Sequence, residues 1–474
     1  MGAYRKTKII CTLGPASETP EVIKSLADAG MNIVRMNFSH GTTEDHLGRI
    51  NTVREVSKQL DTPLSILMDT KGPEIRCGIM ENDEIPFSKG DQVWIVKEEV
   101  LGNKERFHIS TMEMFDDLDV NDTILIDDGK IRLTVLAKED KGLYCRIENP
   151  GLIKTRKGVN LPNTKLSMPF ISEKDEKDIT FSCEQNVDFI ALSFVRRAQD
   201  VLDVRKIMKK ANNPNVQIIA KIESQEGYDN ISEILEVSDG IMVARGDLGV
   251  EVSTQLVPIY QKLMIKKANE VGKSVITATH MLESMIQTPR PTRAEASDVA
   301  NAILDGSDCI MLSGESAAGS YPVEAVQTMD TISKAIEEII PYRDNLRNAR
   351  KTGLPNIQDS IGASVSNVCI NLPNVAAVIA FTQGGSTARR ISKFRPPVPI
   401  IAVTFTMDTV RRLQSYWGVF PVYSDVQNEL TNDDELACKI AKEFGIEPGK
   451  LIVLTAGYPT GEGTANMMKI IEVK

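Results

Sequence analysis

Four charged side chains close two short apolar runs: Lys221 and Glu223 end QIIAKIE, and Arg245 and Asp247 end GIMVARGD. Side chains alternate between the faces of a strand, so Lys221 and Glu223 point one way and Ile222 the other. A buried strand accommodates a lysine and a glutamate on one face only if each finds a partner or a ligand. Asp247 stands between Gly246 and Leu248-Gly249, where glycine lets the backbone approach closely. Two carboxylates and a lysine at adjacent strand ends suit a hard divalent cation and an anionic substrate. A structural cluster of ion pairs is the competing reading at this point.

A second constellation lies nearer the start. In the run 32–38 and its exit, Arg35, Asn37 and Ser39 share one face while Val34, Met36 and Phe38 share the other. Three polar groups at the end of a buried strand make a small site for an anion, a cation or both; an edge strand with one wet face would read the same way. The run 64–68 also ends in polar residues, Asp69-Thr70-Lys71-Gly72-Pro73-Glu74-Ile75-Arg76, and a basic segment, Lys157-Gly158-Val159-Asn160-Leu161-Pro162, follows further on. Later, Thr382-Gln383-Gly384-Gly385-Ser386-Thr387 leads into a helical pattern from Ala388. Backbone donors at a helix start cradle phosphate well, although an ordinary helix cap has the same composition. A second polar, glycine-rich loop spans 455–464.

Bringing these groups together takes a particular scaffold. Apolar runs of strand length at 8–13, 32–38 and 64–68 alternate with helical patterns, the first of which, 21–29, stops at Gly30. After 170 the alternation resumes, with runs at 188–194, 217–223, 240–245, 274–280 and 309–314. Strands apolar throughout, with helices between them, form a parallel sheet, and eight in succession predict an α/β fold of the (β/α)8 TIM barrel type. Arg35, Asn37, Ser39, Asp69, Ser193, Lys221, Glu223, Asp247, Thr279, Ser313 and Glu315 then all fall at the C-terminal ends of strands, where such barrels carry their chemistry. That convergence favours an active site over structural ion pairs.

Between 70 and 170 the helical period disappears. Runs at 92–96, 123–126, 132–137 and 143–147 alternate with Asp-Asp-Gly, Lys-Gly and Asn-Pro-Gly turns, which predicts an inserted β-barrel or sandwich. A polar connector, 343–356, leads to a final αβ unit with strands at 375–381, 400–403 and 451–454. The expected organisation is a catalytic barrel of 1–69 and 171–342, an inserted β-barrel lid domain of 70–170, and a C-terminal αβ regulatory domain of 343–474.

Composition narrows the class further. A chain of 474 residues is too long for one core. It has no apolar run of membrane-spanning length and no signal-peptide layout at its start, so no membrane partner is expected. Seven cysteines scattered singly point to a reducing, cytoplasmic setting rather than to disulfides or a zinc site. A net charge of −10 disfavours nucleic acid as a partner.

Together these strings resemble the pyruvate kinase family over essentially the whole chain. They are KTKIICTLGPAS (6–17), RMNFSHG (35–41), MDTKGPEIR (68–76), KGVNLP (157–162), SEKD (172–175), SFVR (193–196), AKIES (220–224), ARGDLGVE (244–251), ATHMLESM (278–285), PTRAEASDVANA (291–302) and SGESAAGSYP (313–322). The resemblance implies phosphoryl transfer from phosphoenolpyruvate to ADP, giving pyruvate and ATP in the last step of glycolysis. It also implies a barrel with a mobile β-barrel lid inserted after the third strand and a C-terminal αβ domain.

By resemblance, Glu223 and Asp247 are the protein ligands of an essential Mg2+ or Mn2+, and Lys221 stabilises the phosphoryl group in transit. Gly246 and Asp247, with Thr279, hold the substrate carboxylate. Asn37, Ser39, Asp69 and Thr70 match the K+ site, with Arg35 between that ion and the transferred phosphate. Glu74 stands where a glutamate accompanies K+ dependence in the family, so K+ dependence is expected. Arg76 and Lys157, at the two lid hinges, match nucleotide ligands. Thr279, Ser313 and Glu315 are expected to order the water that protonates the enolate, unless they simply pack at the barrel mouth. The family further implies a homotetramer and, at Thr382, Gly384, Ser386 and Thr387 with the 455–464 loop, an allosteric site for a sugar phosphate or nucleotide.

Three departures stand out: His280 where the family usually has glutamine, Ser316 for a usual threonine, and Ala465 where a threonine is common in the terminal loop. His280 is expected on the opposite strand face from Thr279, outside the site. The extra C-terminal domain of some bacterial members is not expected. A metal-dependent lyase or aldolase on pyruvate or oxaloacetate is a weaker reading, because it has no use for Arg76 and Lys157. A catalytically silent effector-binding or scaffold protein is weaker still, because Lys221, Glu223, Asp247 and Arg35 are all intact.

Overall fold

A computed structural model describes residues 4–60, 62–425, 433–457 and 465–474. Eight strands, β1 (Lys8–Thr12), β2 (Ile33–Asn37), β3 (Ser65–Asp69), β4 (Phe189–Leu192), β5 (Gln217–Ile222), β6 (Gly240–Ala244), β7 (Ser274–Ala278) and β8 (Cys309–Leu312), pair in chain order and close on themselves. All eight pairings are parallel. The helices between them bury one apolar stripe against the outer barrel face. In Pro20–Ala29, Thr19 caps the start, Gly30 closes the end at φ 118°, and Ile23 and Leu26 face inward.

The period of two along each strand sorts the barrel interior into layers. Its middle is apolar: Ile10, Ile33, Leu67, Phe189, Ile219 and Met242 belong to one buried cluster. Two residues further along the same faces come Thr12, Arg35, Asp69 and Lys221, which are the polar floor of the site. Two residues back come Lys8, Ser65 and Ser274, whose side chains donate to backbone carbonyls of Val419, Arg411 and Ser415. One end of the barrel therefore docks the C-terminal unit and the other is left for chemistry. Asp188 and Asp308, just ahead of β4 and β8, tighten that docking: each accepts a neighbouring strand's N–H and pairs with an arginine, Arg411 at 2.8 Å and Arg395 at 3.0 Å.

The inserted segment forms a seven-stranded sheet running from Ile75–Arg76 through Gly158–Asn160 to Arg106–His108. Its two edges meet at a bridge between Cys77 and Ile109, so the sheet curls into a barrel around its own core of Val93, Ile95, Phe107, Ile124, Leu133 and Val135. The C-terminal sheet has five strands in the order Val419–Tyr423, Ile400–Thr404, Val375–Phe381, Leu451–Ala456 and Met467–Glu472. Sequence patterning found the central three and missed both edges. Pro421 interrupts one edge strand, which an edge tolerates, and the other carries exposed residues along its length. The expected polar connector is a helix, Tyr342–Thr352, with Leu346 as its buried contact.

Candidate active site

Barrel geometry stacks three strand ends into one charge cluster. Arg35 on β2 and Asp69 on β3 sit on adjacent strands, and Arg35 Nε lies 2.7 Å from Asp69 Oδ2. Lys221, at the end of β5, reaches Asp69 Oδ1 at 3.2 Å and Glu223 Oε1 at 3.0 Å, and donates to Ser193 Oγ at 2.8 Å. Arg35 also donates to Thr12 Oγ1 at 2.9 Å. The alternation argument holds: Lys221 and Glu223 do face the same way, into the open end.

Electrostatics makes this cluster unusual. Burial pulls the pKa of Lys221 down, but Asp69 and Glu223 more than offset it and the ammonium is held above its ordinary range. Burial would raise Asp69, yet Lys221 and Arg35 pull it below the usual carboxylate range. Glu223 goes the other way. Burial first, then Asp247, push its carboxyl up to about 8 against the opposing pull of Lys221 and the Phe194 N–H. Glu223 Oε2 accepts that N–H at 2.6 Å, while Oε1, fully buried, accepts no hydrogen bond. A buried carboxylate oxygen without a donor, beside a second carboxylate, has the donor chemistry of a divalent-cation ligand. Among the described residues no group of three or more His, Cys, Asp or Glu side chains is placed to hold a metal ion.

The remaining oxygen donors gather at β2 and β3. Asn37 pairs directly with Asp69 across the strands, and its Oδ1 accepts the Ser39 N–H at 3.0 Å. The Thr70 carbonyl accepts the Ser193 hydroxyl at 2.7 Å. Gly72, at φ 72°, presses the hinge against β4: a Cβ there would lie 2.7 Å from Ser193 Cβ. This all-oxygen set fits a hard monovalent cation.

Asp247 lies in the first turn of the short helix Arg245–Glu251 that follows β6. Gly246 N donates to Thr279 Oγ1 at 2.8 Å, joining that helix to the end of β7. Here the strand expected to run through 280 stops at Ala278, and Thr279 and His280 turn left-handed, at φ 66° and 54°. Alternation therefore does not govern His280, which is exposed and lines a cavity of about 860 Å3 beside Asp247 and Arg245. Phe194 shares the left-handed conformation at φ 55°. Such backbone strain in bulky or branched residues concentrates at functional sites. Arg245 holds the turn, donating to the carbonyls of Ala278 and Thr279 and pairing with Asp298 at 2.7 Å. Glu315, just past the end of β8, is buried and accepts the N–H groups of Leu282 and Ser313.

The lid contributes the basic side of a second cavity, of about 460 Å3, lined by Arg76, Lys157, Asp127, Asp247 and Glu251. Both cations are held in place by carboxylates. Arg76 makes a two-pronged pair with Glu74 at 2.8 and 3.0 Å, and Lys157 reaches Asp127 at 2.9 Å. Sequence reasoning missed Thr12, Asp127 and Glu251. Only Thr12 carried a signal, two residues from Ile10 on the inward face of β1. At Thr382–Thr387 (382–387) the helix starts at Ser386 rather than 388; Thr382 and Thr387 are buried, and a Cβ at Gly384 would meet open space. The companion loop expected at 455–464 lies outside the described residues from 458 onward.

A closed parallel barrel with a charged pocket at the C-terminal ends of its strands defines the class as a (β/α)8-barrel enzyme. Comparison with known proteins narrows it. The family model for the pyruvate kinase barrel domain matches residues 4–326, and that for the pyruvate kinase alpha/beta domain matches 359–471. The chain is 50% identical over 471 residues to a pyruvate kinase of Staphylococcus saprophyticus, covering 98% of this chain and 80% of that protein. It is 51% identical over 473 residues to a pyruvate kinase of Staphylococcus aureus strain USA300, with the same coverage. The chain belongs to the pyruvate kinase family.

Proposed function

We propose that this phosphotransferase carries the phosphoryl group of phosphoenolpyruvate to ADP at the Arg35–Asp69–Lys221–Glu223 cluster. The observation that supports this most is a buried lysine whose ammonium is held charged between two carboxylates, Asp69 and Glu223, at the C-terminal end of a barrel strand. Glu223 and Asp247 would hold Mg2+ or Mn2+, with water and substrate completing the shell, and Asn37, Ser39, Asp69 and Thr70 would hold K+. When bound, these ions supply positive charge against the several negative charges of the two substrates.

The residues divide the remaining work. Gly246, Asp247 and Thr279 orient the enolpyruvate carboxylate. Arg35 and Lys221 lie on either side of Asp69 and meet the transferring phosphoryl oxygens; positioned positive charge is the main source of rate in this chemistry. Arg76 and Lys157 exchange Glu74 and Asp127 for ADP phosphates, and the lid excludes water as they do so. The bond from phosphorus to the enol oxygen breaks as a β-phosphate oxygen of ADP bonds to phosphorus. The enolate then takes one proton at its methylene carbon. Thr279, partly exposed, suits the ordering of that proton donor better than the buried Glu315.

The working division is 1–69 with 171–342 as catalytic barrel, 70–170 as lid and 343–474 as regulatory unit, assembled as a homotetramer. Thr382, Gly384, Ser386 and Thr387 would take the phosphate of an effector. A cytoplasmic setting suits seven free cysteines, six of them buried, and no helix among the described residues is long and apolar enough to cross a membrane. Pyruvate formation from phosphoenolpyruvate, measured with and without ADP, tests the reading. Release of pyruvate that ignores ADP would mean a lyase or phosphatase instead.

A further inference from the structure

Glu251 takes no part in the chemistry above, yet it joins the barrel to the lid. It ends the short helix Arg245–Glu251 that carries Asp247, and residues four apart lie on the same helix face. From the lid, Asn160 Nδ2 donates to Glu251 Oε1 at 2.8 Å. Asn160 closes the strand Gly158–Asn160, in which Gly158 pairs with Arg76 and Val159 with Ile75, and Lys157 immediately precedes it. Both nucleotide-facing cations are therefore carried by one paired unit whose end is pinned to Glu251. The lid's hairpin tip rests on the same helix: a Cβ at Gly129 would lie 3.7 Å from Val250 Cγ1. A carboxylate in this partly buried position is costly unless hydrogen bonds to it are kept. Burial does raise its pKa to about 7, opposed by the Asn160 amide and the Leu161 N–H and helped by Asp247.

We propose that Glu251 is the barrel-side anchor of the lid, a positioning residue that sets where Arg76 and Lys157 stand relative to Asp247 and Lys221. It acts on the nucleotide half of the reaction and not on the enolpyruvate half. This rests on the phosphoryl-transfer reading above.

Steady-state kinetics on E251A, E251Q, N160A and the E251A/N160A pair, with the full chain, tests it. E251A is expected to raise the KM for ADP about tenfold, the worth of one hydrogen bond to a charged group, and to move the KM for phosphoenolpyruvate far less. E251Q keeps an accepting oxygen and falls between E251A and the unaltered chain. The double variant is no worse than E251A, because the two side chains act through one contact. Equal effects on both substrates, or additive effects of the two substitutions, overturn the proposal. Amide exchange of Gly158, Val159 and Leu161, which needs no turnover, is expected to be faster in E251A; unchanged exchange also overturns it. An unaltered chain that makes no pyruvate would instead defeat the reading of the reaction, and the exchange result would still judge the anchor.

Discussion

Glu223 Oε1 lies 3.0 Å from the Lys221 ammonium, fully buried, and receives no hydrogen bond. Charge attraction is present there but the directional bond is missing. One of the three ammonium N–H groups goes to Ser193, and the ammonium also lies 3.2 Å from Asp69 Oδ1. This leaves one carboxylate oxygen without a hydrogen-bond donor, and one ammonium held charged at the end of its strand.

Lys221→Met removes that ammonium while keeping most of its apolar stem. Turnover is expected to fall by about 10³-fold or more, the scale on which a single well-placed cation acts in phosphoryl transfer. Divalent-cation binding, followed by calorimetry, should persist because both carboxylates remain. A kcat within a few-fold of the unaltered enzyme would refute the role given to Lys221.

Glu223 makes cation binding depend on pH. Burial raises its carboxyl to about 8, so a cation binding there competes with protons near neutral pH. Apparent affinity for Mg2+ should weaken about tenfold per pH unit below that value, read by titration in buffers of different ionisation enthalpy. The stability sign is fixed by the same shift. A raised folded-state pKa contributes stability below the ordinary glutamate range, and that contribution is lost as pH rises through about 8. Saturating Mg2+ should remove this loss.

We propose that Glu74 links a monovalent-cation requirement to the nucleotide side. It is paired with Arg76 and lies 3.0 Å from Lys71. In a series of chloride salts, activity should need K+ or NH4+. Glu74→Lys should lessen that need while raising the KM for ADP, because Arg76 loses its partner and gains a like charge. Full turnover of the unaltered enzyme without K+ or NH4+ would remove the claim.

Arg245 should matter for phosphoenolpyruvate and not for ADP. It holds Thr279 and His280 in a conformation that branched or bulky residues avoid, and it is itself fixed by Asp298. Arg245→Lys cannot reproduce the fork of contacts. It is expected to lower kcat/KM for phosphoenolpyruvate about tenfold or more, since small displacements of a positioning group are costly in rate.

At the closed end of the barrel, Lys8 is buried, donates to the Val419 carbonyl at 2.5 Å and lies 4.4 Å from the centre of the Phe420 ring. Burial, then Arg5, lower its pKa to about 7. The unfolded chain therefore binds more protons than the folded one between about 7 and the ordinary lysine range, and stability rises with pH across that interval. Each pKa unit is worth about 1.4 kcal/mol. Lys8→Met should flatten this rise in Tm, followed calorimetrically.

Much of this could be read from residue order. The barrel strands were legible because they are apolar on both faces and bounded by turn residues, and the polar residues ending them are spaced by two. The edge strands Val419–Tyr423 and Met467–Glu472 were not, because an edge bears only half of that signal. His280 was misplaced for a different reason. Alternation fails once the backbone leaves the strand, and no local pattern marks where that happens.

The sequence alone determined the scaffold, its inserted lid and the types of charge at the strand ends, since periodicity and turn chemistry act between neighbours in the chain. Only the tertiary structure decided which charges meet. Asp69 is satisfied by both Arg35 and Lys221, one Glu223 oxygen is left without a hydrogen-bond donor, and Glu251 is joined to Asn160 across ninety-one positions. Those outcomes depend on burial and on distances between remote segments, and both exist only after the barrel has closed.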